Sequence, residues 1–587
     1  MKIISNPYLR ISCMALFGAT IIPAAANPLQ WDGNAGTTGI SDATSAWNTA
    51  NNWWNGTTNV SWSDNSDVQF GTGTLGNAGS VTISGTNPTV NSITFNTPFG
   101  TGNFNITGGT VNLLNTSTDI TVNGGTPTIS SALAGTDKGI NKKGNGELRL
   151  GGTVSYTGAT TITGGTLRVN SGANSLYTST SGFSMAGGSL VVFAGAIQNI
   201  AKDFTFSSAS GTITTFDSSA NIGHTLSGTM NINSGATMTL RPRNAGLNFI
   251  VSGKITGAGN FAVANNSGDV ATAAIRISNT DNDYAGSTTI SGGILQLGAS
   301  NVIPNASNLT MSLAGSLKPT LDLNGFNETI GSLASTATTA DIFNNSGSGT
   351  SVLSVGANNA SASFAGSIKD NDGVATGGTV ALTKLGSGTQ TLTGDSTYTG
   401  ATNVNAGTLV VNGNISTSNF TVADGATISG SGTVGALTIQ SGGFVNAGNS
   451  PGILNTGNYS QAGTLVAEIT GLTAGTQHDQ INVTGTVTLS GALDLQFSAS
   501  PDYVLNSMIF LILNDGVDAV SGTFSGLAQG ATAASFGGFD WIISYEANSS
   551  GSSFTGGNDV ALRAIPEPST ALLGGLGVLA LLRRRRR

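Results

Sequence analysis

Residues 156–169 read YTGATTITGGTLRV, and the phrase returns as YAGSTTISGGILQL at 284–297 and as YTGATNVNAGTLVV at 398–411. Aligned on Tyr156, Tyr284 and Tyr398, a glycine follows two residues on (Gly158, Gly286, Gly400) and a threonine four on (Thr160, Thr288, Thr402). An aliphatic comes six on, a second glycine nine on (Gly165, Gly293, Gly407) and a leucine eleven on (Leu167, Leu295, Leu409). Apolar and polar residues alternate on both sides of a glycine bend. Period two is the signature of a strand with one buried face, and glycine supplies bends, including those that need positive φ. Each phrase is therefore strand, turn, strand. Two copies carry an earlier strand as well, KKGNGELRL at 142–150 and TKLGSGTQTL at 383–392. In the middle copy the corresponding region is longer and degenerate. None of the groups in the phrase is a plausible acid, base or ligand, so the repetition is architectural.

The same pattern continues loosely between the copies, as in VTISGTNPTVNSITF and TVADGATISGSGTVGALTIQ. Short strands with regular turns can close as a sandwich, a barrel or a solenoid. No linker divides the body into sandwich-sized modules, so a parallel β-helix fits best, with aliphatics inside and Thr, Ser and Asn outside. An array of β-sandwiches is the alternative. At roughly 20–25 residues per coil and about 4.8 Å per step, residues 80–500 would make a rod on the order of 90 Å long.

Composition supports a packed β-rich chain. Glycine is 85 of 587 residues, yet there is no Gly-X-Y period and proline is only 13, which excludes collagen. Only 9% of residues are charged, too few to hold a disordered coil open by repulsion. Lys and Arg total 21, five of which are the last five residues, and the net charge is -8. The body lacks the basic footprint of a nucleic-acid partner. The single cysteine, Cys13, lies in a segment read below as cleaved, so disulfides, thiolate metal sites and cysteine nucleophiles are not expected in the mature chain.

Both ends carry addresses. Lys2 and Arg10, the apolar stretch 11–22 and the triplet Ala24-Ala25-Ala26 make residues 1–26 a secretory signal peptide, to be removed by signal peptidase. At the other end, residues 571–582 are apolar or glycine, roughly 18 Å as a helix, short against a hydrocarbon core of about 30 Å. Arg583, Arg584, Arg585, Arg586 and Arg587 then form a cytoplasmic stop. Pro566 and Pro568 keep Glu567 extended just before this segment. Residues 565–587 closely resemble the PEP-CTERM sorting signal. That resemblance implies recognition by an exosortase-type membrane protease, transient anchoring in the inner membrane, removal of the tail, and delivery to the surface or exopolysaccharide matrix of a Gram-negative bacterium.

The phrases with their upstream strands look like the autotransporter-associated β-strand repeat, at about 142–169, 255–297 and 383–411. The resemblance implies a right-handed β-helix of the kind found in secreted surface passengers. Autotransporters end in an outer-membrane barrel, whereas this chain ends in the sorting helix, so self-export is not implied. The expected organisation is a signal peptide at 1–26, a Trp-rich cap at 27–80, the β-helix at 81–455, a C-terminal β-region at 456–563 and the sorting signal at 565–587. Five of the six tryptophans, Trp31, Trp47, Trp53, Trp54 and Trp62, fall in the cap segment. They can shield the open end of a solenoid, or Trp53 and Trp54 can stack on sugar rings.

Chemistry is sparse. DND at 281–283 and KDND at 369–372 read as turns lacking the remaining ligands of a calcium loop. His224 and His478 are isolated, with no partner at ligand or triad spacing. No cofactor, metal or catalytic residue is implied. The expected function is that of a non-catalytic secreted or cell-surface structural or adhesin-like protein. The alternatives are a carbohydrate-binding surface protein, with exopolysaccharide as a partner, and a β-helical polysaccharide lyase or hydrolase.

Overall fold

The computed structural model describes residues 27–567, less residues 35, 37–39, 73–76, 98–99, 194–195, 208, 216–222, 244, 266–268, 316, 374–376, 499–502 and 517, together with Arg583 and Arg584. Residues 1–26, expected to be the leader, Pro568, the apolar run 571–582 and Arg585–Arg587 lie outside the described residues.

Short strands alternate buried and solvent-facing residues, as the pattern dictates. In Thr160–Ile162 and Thr166–Val169, Ile162, Leu167 and Val169 point inward while Thr161 and Arg168 point outward. Successive coils stack in parallel register, so that like side chains form columns: Leu148, Leu167, Leu190 and Ile213 lie one above the next. Each buried aliphatic of such a column contributes about 1.5–3 kcal/mol, and the ladder pairs the backbone of every strand with the coils above and below. The result is a parallel β-solenoid. Coil length is not constant. Leu409 pairs with Ile428, 19 residues on, but Leu465 pairs with Leu493, 28 residues on. The corner loops absorb the difference while the strands keep register.

One ladder persists along the rod, from Ser45–Ala46 to Ala492–Phe497. Its companions hand over to one another. The first companion ends at Ile255–Gly257, and another runs from Asn199–Ile200 to Ser367–Ile368. A third runs from Glu328–Ile330 to Ser521–Gly522, and a fourth begins at Asn414–Ile415. This handover places the repeats differently. In the first and last copies the second strand of the phrase, Thr166–Val169 or Thr408–Val411, joins the persistent ladder. In the middle copy it is the first strand, Thr288–Ile290, that joins it, and Gly293–Leu297 lies on the next face. The middle copy is displaced by one face of the rod.

The upstream strands of the middle copy are present as Asn260–Val263 and Ala273–Ile277. They look degenerate in sequence because residues 264–272 separate them, where the first copy has only 144–146. Asp269, whose side chain is buried, ties this insertion down by accepting from Arg241 Nε (2.9 Å) and Nη2 (3.1 Å) and from Arg243 Nε (3.1 Å).

The ends are built differently. Leu29–Trp31 pairs antiparallel with Trp53–Trp54, which pairs antiparallel with Asn59–Val60. Trp31, Trp47 and Trp53 are fully buried, with ring centroids 5.2 Å apart for Trp31–Trp53 and 4.9 Å for Trp47–Trp53. They stand over Phe70, which stacks on Phe95 of the next coil at 5.1 Å. At the other end the persistent ladder crosses residue 455 without a break. The architecture changes only at Met508–Leu513. Met508–Leu513 and Ser521–Gly522 still pair in parallel with the coil before, the later strands pair antiparallel, and Asp559–Pro566 lies between Met508–Leu513 and Phe539–Ala547, with Thr532–Phe536 outermost.

Candidate functional site

The repeat residues turn their polar groups inward. Tyr156, Tyr284 and Tyr398 are buried at corners of the solenoid. Each phenol meets the threonine four residues on: Tyr156 to Thr160 at 2.8 Å, Tyr284 to Thr288 at 2.6 Å and Tyr398 to Thr402 at 2.6 Å. Each threonine meets a hydroxyl of the following coil, from Thr180 (3.1 Å), Ser307 (3.0 Å) or Ser418 (2.8 Å). That hydroxyl donates back to the carbonyl of Gly158, Gly286 or Gly400, at 2.9, 2.9 and 2.8 Å. The motif is thus a closed hydroxyl chain that fastens a corner to the coil beyond it. Burial holds all three phenols above their ordinary range, Tyr398 at about 12, so they remain neutral donors. The same glycines permit the close approach. A Cβ on Gly158, Gly286 or Gly400 would run into the carbonyl of Lys138, Gly259 or Val380 on the coil before. Leu167, Leu295 and Leu409 are fully buried in the adjoining strands.

Two lysines complete the corners of the outer copies. Lys142 and Lys384 point into the interior and are fully buried. Lys142 Nζ donates to the carbonyls of Lys143 (2.8 Å), Gly144 (3.0 Å) and Gly164 (3.0 Å). Lys384 Nζ donates to Leu385 (2.6 Å), Gly386 (2.8 Å) and Ala406 (3.1 Å). Burial lowers both ammonium groups to about 8. In the middle copy Val263 holds the equivalent ladder position, opposite Ile290 as Lys142 is opposite Ile162. These lysines cap turn carbonyls and are not open to a substrate.

The perturbed carboxyls are equally enclosed. Burial pushes Glu328 up to about 8 although it accepts from the amides of Val302 (3.1 Å) and Ile303 (3.3 Å). Asp479, at about 6 for the same reason, accepts from the amides of Gly452 and Glu468, both at 2.9 Å. The two aspartate-rich turns serve the scaffold. Asp283 pairs with Lys254 at 2.6 Å, Asn282 accepts from the Ile255 amide at 2.7 Å, and Asp370 accepts from the amides of Val380 (2.9 Å) and Thr399 (3.1 Å). His224 is buried, accepting from the Gln198 amide at 3.1 Å. His478 is buried beside the Gly471 carbonyl, and burial lowers its basicity. Among the described residues no group of three His, Cys, Asp or Glu could hold a metal ion.

Two of the surfaces open to a partner lie at the ends of the rod. At the head, Trp53 and Trp54 face opposite sides of one strand. Trp53 is enclosed, its Nε1 donating to the Trp47 carbonyl at 3.0 Å, and it presents no ring face to a sugar. Trp54 is on the outer side and half-buried. Strand register places it in one outward row with Gln69, Gln30 and Asn59. A cleft of about 720 Å³, lined by Asn27, Asn55, Asn65, Asp67 and Asn91 among others, opens beside this row. At the tail, Pro566 is the last residue of the strand Asp559–Pro566, and Pro566 and Glu567 are exposed. No helix among the described residues is long and apolar enough to cross a membrane.

Comparison with known proteins matches both devices. Residues 140–169, 276–297 and 382–411 match the Passenger-associated-transport-repeat, and residues 564–587 match the PEP-CTERM protein-sorting motif. The chain therefore carries three autotransporter-associated repeats and a C-terminal sorting motif. It is similar to the Adhesin BmaC autotransporter of Brucella suis biovar 1 (strain 1330), 40% identical over 154 residues, 26% of this chain and 4% of that protein. It is also similar to an Extracellular serine protease of Serratia marcescens, 43% identical over 74 residues, 13% of this chain and 7% of that one. The matched stretches are a small part of each relative.

Proposed function

We propose that this chain is a non-catalytic rod of the cell surface or extracellular matrix. It is exported through the leader 1–26, cleaved by signal peptidase, and sorted through its C-terminus by an exosortase-type membrane enzyme. The observation that carries the proposal is the disposition of its polar groups. The repeated tyrosines, threonines and lysines and the perturbed carboxyls are consumed in fastening coil to coil, while the last strand of the rod leads directly into Pro566-Glu567-Pro568. The passenger-like repeats and the adhesin relative support display, and the sorting motif supports processing. Replacing Pro566, Glu567 and Pro568 with alanine is expected to leave the protein in the membrane fraction with its tail attached, read by fractionation and by the mass of the released form. Normal release of that variant overturns the sorting account.

A second reading is favoured by the row Gln69, Gln30, Trp54 and Asn59. A half-buried indole on the outer side of the strand, flanked by amides, suits the apolar face and hydroxyls of a neutral sugar, so the head would contact glycan, including exopolysaccharide. On a glycan array, Trp54→Ala is expected to abolish binding with the fold intact, whereas Trp53→Ala acts by loosening the cap. Binding unchanged in Trp54→Ala excludes this face.

A further inference from the structure

The terminal antiparallel sheet has an apolar tip, and the chain leaves the rod from it. Val504 is 63% exposed and Leu505 51% exposed. They immediately precede Asn506, whose amide donates to Ala564 at 3.0 Å, and Ser507, whose carbonyl accepts from the Ala564 amide at 2.9 Å. Val504–Ser507 is a tight turn, closed by the Ser507 amide donating to the Val504 carbonyl at 2.9 Å, and it therefore holds Val504 and Leu505 at the end of the sheet where Ala564 leads into Ile565 and Pro566. On the other side Phe539 pairs with Pro566, which brings the turn Phe536-Gly537-Gly538-Phe539 to the same tip. Sequence distance then fixes what this tip faces. Only residues 568–570 separate Glu567 from the apolar run 571–582, and four Cα steps span at most about 14 Å.

We propose that the Val504–Leu505 tip, with the Phe536–Phe539 turn, rests in the headgroup layer of a lipid bilayer while the tail is still attached. This rests on the sorting account above, in which residues 571–582 enter the membrane. An apolar run held in the bilayer cannot leave the tip more than that short distance from the surface. Large exposed aliphatics beside the exit point then gain by leaving water. The carboxylates of Asp540 and Glu567 flank the tip, and the cost of taking a carboxylate out of water keeps the contact shallow. The rod would thus stand end-on, with the sorting motif held at the membrane face where a membrane-embedded enzyme works.

The test uses the chain with its tail attached, Cys13 replaced by serine where the leader is retained, in vesicles of phosphatidylethanolamine and phosphatidylglycerol. An environment-sensitive fluorophore is placed on Leu505→Cys or, as a control far along the rod, on Ile197→Cys, a position 67% exposed. The expected result is a blue-shifted emission from the Leu505→Cys label and its several-fold quenching by lipid nitroxides just below the headgroups. The Ile197→Cys label should show neither. A chain that floats with the vesicles while both labels report water overturns the docking and leaves the sorting account standing. A chain that does not float overturns both. Unchanged far-ultraviolet circular dichroism and thermal midpoint of the labelled chains establish that the rod is folded.

Discussion

Glu328 illustrates how a single side chain couples this rod to pH. Its carboxyl ionises near the ordinary carboxylate range in the unfolded chain but only around 8 when folded. Between those values the folded state holds a proton that the unfolded state has lost, so the stability this group contributes is fully present below about pH 4.5 and is lost as pH rises toward 8. Asp479 and Asp322 are shifted in the same direction by burial and add to the slope. The midpoint of chemical denaturation is therefore expected to be higher at pH 5 than at pH 8, and Glu328→Gln is expected to flatten that dependence. An unchanged slope in the variant would place the effect elsewhere. The sequence conveyed that acids are scarce in the body. It did not convey that Glu328 is enclosed, because enclosure depends on Val302 and Ile303, which come from the coil before.

At the scale of the element, the corner is the unit. Tyr398, Thr402, Ser418 and the Gly400 carbonyl form one chain of hydrogen bonds linking two coils. Tyr398→Phe removes its first member and leaves Thr402 with a partner on one side only. The expected loss is about 1–2 kcal/mol, read as a lower denaturation midpoint with unchanged circular dichroism. A neutral outcome would mean that the hydroxyl chain does not hold the corner. The strand-turn-strand character, the inward leucines and the glycine bends were legible from period two and the tyrosine frame. Thr180, Ser307 and Ser418 were not, because they follow the threonine by 20, 19 and 16 residues, and coil length floats with each loop. The buried ends of Lys142 and Lys384 escaped for a different reason. Lysine is among the residues least often buried, and only the carbonyl cradle explains the exception. Adjacent residues in a strand face opposite sides, so Trp53 and Trp54 do not act as a pair and only Trp54 is left outside.

For the whole molecule, coils touch mainly their immediate neighbours, with exceptions such as Gln390, which reaches past the Ala362–Phe364 coil to the Leu333 carbonyl at 3.0 Å, so stability is close to a sum of local terms along one axis. Leu295→Ala, in the middle of the rod, is expected to remove about 2–5 kcal/mol locally. Denaturation should then separate into more than one step, and limited proteolysis should release fragments from both sides of the lesion. A single cooperative transition would show that coupling reaches farther than adjacent coils. The parallel stacking and the rod were legible from the repeats. The displacement of the middle copy by one face was not, since it follows from how the companion ladders replace one another between the copies.

The strand that ends in Pro566 has hydrogen-bonded neighbours on both sides, Met508–Leu513 and Phe539–Ala547. Those bonds lie across the strand direction. A pull on the C-terminus directed along Asp559–Pro566 therefore loads them together, in shear, and does not peel them away one at a time. A rod held by this end would resist being drawn out by drag or traction up to the combined strength of both seams, a mechanical property that comes from placing the exit in the middle of a sheet.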